Sequence, residues 1–257
     1  MPIVTLTTDF GRRDYYLAMI KGAMLCEHPQ LNIIEITNSI RNYDIVQGAF
    51  IFRNAWESFP EGTIHLISVN DYYAHQGRYL ATTLRGHFFI APDNGIFSLI
   101  FDEKMPADFY ELDAKEGSPF PLKDIYARAV GHLAHGKPLA GIGPPAREVE
   151  RRITLQPVIG HSQIRGSVIY VDNYDNAISN ITRALFEKVG GGRPFKLYFK
   201  RHAPIRRLSE NYHGLPVGEP LCLFNAAGYL EVAVNMGRAC TLFGLKEEDT
   251  IQIDFHS

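Results

Sequence analysis

Asp9 closes a short run of β-branched and apolar residues, Val4-Thr5-Leu6-Thr7-Thr8, and Phe10-Gly11 follows it. Such a run predicts a buried strand, and the turn after it leaves a carboxylate at the strand's carboxyl end. Open α/β sheets gather ligands along that edge. A carboxylate there can accept two hydrogen bonds from a ribose diol, each worth roughly 1.5–3 kcal/mol. Gly11 would let the chain pass close to the ligand. The competing reading is that Asp9 only caps the helix after the turn.

Four more stretches carry polar groups in patterns that could do chemistry. Asn70-Asp71-Tyr72-Tyr73-Ala74-His75-Gln76-Gly77-Arg78 gathers a carboxylate, an imidazole, a guanidinium and two phenols behind a third strand. Its bland alternative is a solvated loop with a surface ion pair between Asp71 and Arg78. Ala91-Pro92-Asp93-Asn94-Gly95 has turn chemistry, with Asp93 placed to orient a neighbour. The run 170–181 holds Asp172, Asn173, Asp175, Asn176 and Asn180, more polar groups than a hairpin needs. Asp172 suits an ammonium group and Asn176 a base edge, although Asp175-Asn176 also reads as a plain turn. The fifth stretch, 224–235, is a turn and a strand around Asn225, Ala226 and Ala227.

The elements that must position these groups follow from periodicity. Tyr16, Met19, Ile20, Ala23 and Met24 predict a helix over 15–26, with Asp14 as its N-cap. Strands are expected at 32–37 and 63–69, with a helix capped by Asp44 between them. A strand pair at 79–84 and 87–91, a helix from 96, a strand at 109–112 and a helix from Asp124 to Ala134 complete the first half. Strand and helix in alternation predict an α/β domain with a mostly parallel sheet over 1–152. Past the polar link at 144–152 the runs shorten to 163–170, 195–199, 220–224, 229–234 and 250–255. They predict an all-β, barrel-like domain over 153–257.

Composition narrows the classes. The chain has 257 residues, a formal charge of −2 and 46% hydrophobic residues, which suits a globular protein without a basic field for nucleic acid. No apolar run is long enough to span a bilayer, and no signal peptide pattern opens the chain, so a cytoplasmic location is expected. The three cysteines lack a CxxC pair and the ten histidines lack metal-ligand spacing, so no metal is expected. Walker A, GxGxxG and GxSxG patterns are absent.

Taken in order, Thr8-Asp9-Phe10-Gly11 with Lys21-Gly22, Tyr43-Asp44, Ala91-Pro92-Asp93-Asn94-Gly95, Asp124-Ile125-Tyr126, Asp172 with Asn176, Asn180-Ile181, and Asn225 with Gly228-Tyr229-Leu230 and Asn235 resemble one family. It is the S-adenosylmethionine (SAM) hydroxide adenosyltransferases, kin to the SAM-dependent fluorinase and chlorinase. The resemblance implies SAM as substrate, no further cofactor, and displacement of methionine from the ribose C5′. It implies a homotrimer with its sites at subunit interfaces. By the same resemblance Asp9 holds the ribose hydroxyls, Tyr43 flanks the sugar, and Asp14 approaches the amino-acid tail. Asp172 takes the ammonium and Asn176 the adenine edge. Asn225, Ala226, Ala227 and Met236 line the remaining pocket. Asn70 and Tyr73 are further binding candidates.

The chain departs from the family's water-handling set. That set joins an aspartate, an arginine seven residues on, and a histidine in an HGRD-type motif. Pro121-Leu122-Lys123-Asp124 stands at the histidine motif. In the loop, an ungapped register places Asn70 and Gly77 at the first two positions, and one inserted residue places Asp71 and Arg78 there. The second register makes Asp71, Arg78 and His75 the catalytic candidates. The fluorinase Ser-Arg pair becomes Ala226-Ala227. Three readings stay open: a SAM-cleaving enzyme that uses water, a non-catalytic SAM or adenosine binder, and a trimeric structural or interaction protein.

Overall fold

The computed structural model describes residues 1–71, 77–113 and 120–256, with the backbone alone at 121 and 122. Tyr73 and His75 lie outside the described residues. The chain divides into two compact units, Met1–Ile153 and Thr154–Ser257.

In the first unit, β1 (Ile3–Thr8), β2 (Asn32–Thr37), β3 (Ile64–Ser68), β4 (Tyr79–Leu84), β5 (His87–Pro92) and β6 (Phe109–Glu111) form one sheet in the order β2-β1-β3-β5-β4-β6. The sheet is mixed: β4 runs antiparallel to both of its neighbours, and the pairs among β2, β1, β3 and β5 are parallel. The antiparallel strand follows from Arg85-Gly86, which turns β4 back into β5 with both residues at positive φ.

Alternation along the strands feeds two cores, one on each face. Val4, Leu6, Ile64 and Leu66 pack against α1 (Tyr16–Glu27) and α4 (Pro121–Ala134) through Leu17, Ile20, Met24, Ile125, Tyr126 and Val130. Ile67, Val69, Phe89 and Ala91 pack against α2 (Ile45–Arg53) and α3 (Ile96–Phe101) through Ala49, Phe52, Phe97 and Ile100. Asp44 caps α2, with its Oδ1 accepting from Gln47 N at 2.9 Å. The sequence led us to expect Asp14 as the cap of α1, and it is not. The N-cap is Tyr15, without a side-chain bond. α1 and α2 thus lie on opposite faces, so the chain reverses direction between β1 and β3. That reversal opens a crevice at their carboxyl ends.

The second unit is built on β7 (Val158–Ile159), β8 (Gln163–Val171), β9 (Ala177–Thr182), β10 (Phe195–Phe199), β11 (Pro220–Phe224), β12 (Tyr229–Val234) and β13 (Thr250–Phe255). The antiparallel order is β10-β13-β8-β9-β12-β11, with β7 beside β8. A register shift between Val168 and Tyr170 lets β8 serve two parts of a curled, half-barrel sheet. Gly166 is needed on β8, because a Cβ there would sit 2.5 Å from Asn180 Oδ1.

The unit is not all-β. It also contains α5 (Arg183–Gly190) and the short α6 (Ala239–Phe243). Thr182 caps α5 by accepting from Leu185 N at 3.2 Å, and Gly191 ends it at φ 56°. Phe186 of α5 completes a core with Phe195, Leu197, Phe199, Ile251, Ile253 and Phe255.

Candidate functional site

The crevice between β1 and β3 is lined by acidic groups. Asp9 follows β1 and is 8% exposed. Its Oδ2 accepts from Tyr43 N at 2.9 Å and from Asn70 N at 3.2 Å. Both donors hold a left-handed backbone, φ 69° at Tyr43 and 55° at Asn70. That conformation is uncommon for asparagine and an outlier for tyrosine. Asp9 therefore ties the turn at Tyr43 to the end of β3, and neither bond caps a helix.

The turn below it is strapped to the end of β2. Gly11 N donates to Asn38 O at 2.8 Å, and Thr8 Oγ1 to Asn38 Oδ1 at 2.9 Å. Asn94 fastens the β3 end from the other side, donating to Val69 O at 2.9 Å and to Asn70 O at 3.3 Å.

Asp71 stands next in this crevice, 8% exposed. The Ser68 hydroxyl donates to its Oδ2, and the Tyr126 hydroxyl to its Oδ1 at 2.6 Å. Burial pushes the Asp71 carboxyl up to about 7, against the pull of those two hydroxyls, and the charge of Asp9 adds to the rise. Burial, with the Asp71 charge behind it, also raises the phenols of Tyr126 and Tyr79, the latter to about 12.

Arg78 is not beside Asp71. Its Nη2 lies 3.4 Å from Asp93 Oδ2 and donates to Glu148 O at 2.8 Å, while its Nε lies 3.4 Å from Glu111 Oε2. Asp93 in turn accepts from Glu150 N at 2.8 Å. The surface ion pair between Asp71 and Arg78 is thus not formed. Asp14 is exposed at the start of α1, and the Tyr43 side chain is 64% exposed.

A second polar cluster belongs to the C-terminal unit. Asp172 Oδ1 accepts from Tyr174 N at 2.9 Å and Asn176 N at 2.8 Å, and its Oδ2 from Asn176 Nδ2 at 3.1 Å. Asn225 Nδ2 donates to Glu231 Oε2 at 3.2 Å, and Tyr212 OH to Glu231 Oε1 at 2.9 Å. Burial holds the Glu231 carboxyl above its ordinary range; the two hydrogen bonds oppose this and the charge of Asp172 adds to it. Ala226, Ala227 and Met236 are exposed, Met236 by 87% with φ 55°.

Sequence reasoning passed over Glu231, Tyr212 and Ser68, and gave Tyr126 no role. The signal for Glu231 was present: a carboxylate inside the apolar run Tyr229–Val234 must be partnered. Among the described residues no group of three or more His, Cys, Asp or Glu could hold a metal ion. Nor is any helix there long and apolar enough to cross a membrane.

Comparison with known proteins decides the kinship. The family models of the SAM hydroxide adenosyltransferase N-terminal and C-terminal domains match residues 4–143 and 166–252. The chain belongs to the SAM hydroxide adenosyltransferase family. It is 30% identical to an (R)-S-adenosyl-L-methionine hydrolase of Thermus thermophilus, over 95% of this chain and 96% of that protein. It is 25% identical to a fluorinase of Nocardia brasiliensis, over 98% and 96%. Among solved structures, an uncharacterized conserved protein of Thermotoga maritima superposes with a TM-score of 0.87 at 28% identity, covering 98% of this chain and 99% of that one. In this member of the adenosyltransferase family, Asp71 is held by Ser68 and Tyr126, and Arg78 is bound by Asp93, Glu111 and Glu148.

Proposed function

We propose that this adenosyltransferase-family protein binds SAM and cleaves it at the ribose C5′ to adenosine and methionine, with water as the nucleophile. The observation that carries the reading is the convergence of Asp9 and Asp71 at the carboxyl ends of two adjacent parallel strands. One is pinned by backbone amides, as a diol acceptor must be. The other takes up and releases a proton near neutrality, as a general base should. A sulfonium is already a good leaving group, so the reaction needs an aligned nucleophile in a desolvated site more than strong acid chemistry.

In this reading Asp9 holds the ribose diol, Asn70 and Tyr43 frame the sugar, and Asp14 lies toward the amino-acid tail. Asp172 takes the ammonium, Asn176 the adenine edge, and Asn225, Ala226, Ala227 and Met236 line the remainder. Asp71 receives the proton of the water, Arg78 and His75 are the further candidates for handling it, and Tyr73 is a further binding residue. The protein is a homotrimer with its sites at subunit interfaces, working in the cytoplasm.

A second reading has one specific observation in its favour. Arg78 is engaged by Asp93, Glu111 and Glu148, away from Asp71, which fits an adenosyl-ligand binder with a dismantled water site. Incubation with SAM, followed by chromatography, separates the two. Adenosine and methionine in equal amounts support the enzyme. A rise in melting temperature with SAM or adenosine and no product supports the binder. Neither result leaves an interaction protein.

A further inference from the structure

Asp71 is gripped from two sides by hydroxyls that come from different parts of the chain. Ser68 is the last residue of β3 and lies three residues before the carboxylate; Tyr126 comes from α4, fifty-five residues on. Each hydroxyl takes a different carboxylate oxygen, so the plane of the group is fixed. Tyr126 is fully buried, and its ring meets Tyr79 of β4 edge-on at 5.5 Å between centroids. The tyrosine cannot swing away without opening the core that joins α4 to the sheet. Such a grip on a strand-end carboxylate is more than the turn requires, since Asn94 already holds the carbonyls of Val69 and Asn70.

Resting on the SAM-cleavage reading, we infer that Tyr126 and Ser68 are positioning residues of the reaction, holding Asp71 in the one orientation from which it accepts the proton of the attacking water. The C5′–O bond forms as the C5′–S bond breaks. The sulfur leaves with the bonding pair as neutral methionine thioether, and the water's proton passes to Asp71, which later returns it to solvent. A carboxylate has about four lone-pair sites, so two hydroxyl bonds leave acceptor capacity for the water. Among the described residues, the charged and titratable groups facing Asp71 are Asp9 from the end of β1, Tyr79 from β4 and Tyr126 from α4. Both hydroxyls stabilise the ionised carboxylate, so removing either one raises the pH at which Asp71 becomes a base.

The test is the pH profile of adenosine release by the wild type, Y126F and S68A, with the full chain in each case. Y126F should move the acidic limb of kcat upward by about one pH unit, a tenfold loss on that limb, and stay below the wild-type rate in alkali, where Asp71 is ionised but held from one side only. KM for SAM should stay as in the wild type. S68A should move the limb the same way, and it serves alone if Y126F fails to fold. An acidic limb that stays unmoved in both variants, whatever the loss of rate, overturns the inference while the enzyme reading stands. A wild type that releases no adenosine at any pH overturns the enzyme reading, and the inference with it.

Discussion

A single carboxylate oxygen of Asp9 collects two backbone amides whose residues both sit in the left-handed region. Asn at position 9 would present one acceptor oxygen and no charge to those donors and to a diol. D9N should therefore weaken adenosine binding by roughly tenfold to a hundredfold, in line with losing one charge-assisted hydrogen bond; equal affinity by calorimetry would remove Asp9 from the site. Arg78 answers to a different measurement. R78A leaves Asp93, 1% exposed, facing the space of a lost guanidinium. It should cost roughly 2–4 kcal/mol in urea unfolding while sparing adenosine affinity. The place of Asp9 at the end of β1 was legible from the apolar run before it, whereas its bonds to Tyr43 N and Asn70 N were not. The bond between Asp71 and Tyr126 was not, because it joins residues fifty-five apart whose own neighbourhoods read as loop and helix.

Among the elements, β3 and β5 carry an unusual device inside the N-terminal core. His65 Nδ1 lies 2.7 Å from Thr5 Oγ1, and His65 Nε2 lies 3.1 Å from His87 Nδ1, within a cage of Phe52, Trp56, Phe59 and Phe89. Burial, and next the charge of His87, pushes His65 down to about 3. The unfolded chain takes up this proton near pH 6.5 and the folded one does not. The stability that His65 contributes is thus complete above that value and drains away as pH falls toward 3. The slope is ~1.4 kcal/mol per pH unit for one group. Urea unfolding of wild type between neutral and acid pH should show this slope, and H65Q should flatten it. The strands themselves were largely legible. Alternation fixed 195–199, 220–224, 229–234 and 250–255 within a residue, and Arg85-Gly86 announced the β4–β5 hairpin. The helices α5 and α6 escaped notice because eight and five residues are too few for periodicity to stand out from the strands around them. T182A, which removes the cap of α5, should lower stability by about 1 kcal/mol, measured by the same urea titration.

At the scale of the whole molecule, the family kinship and the two-unit division are plain, whereas assembly belongs to experiment. Light scattering on a sizing column should give a trimer. A monomer that still releases adenosine would separate catalysis from assembly. Ordered motifs spread over the chain made the kinship legible. The surroundings of Asp71 were not legible, since the sequence does not show which hydroxyls fold against it. Tyr43 and Asn70 carry one last consequence. A left-handed backbone costs side-chain-bearing residues of order 1–3 kcal/mol, so the folded chain holds some tension at the candidate site. Glycine at position 70 would relieve that tension and let the chain withstand more heat. Its amide, freer to wander, would then meet Asp9 less often, so hardiness and grip trade against each other at one residue.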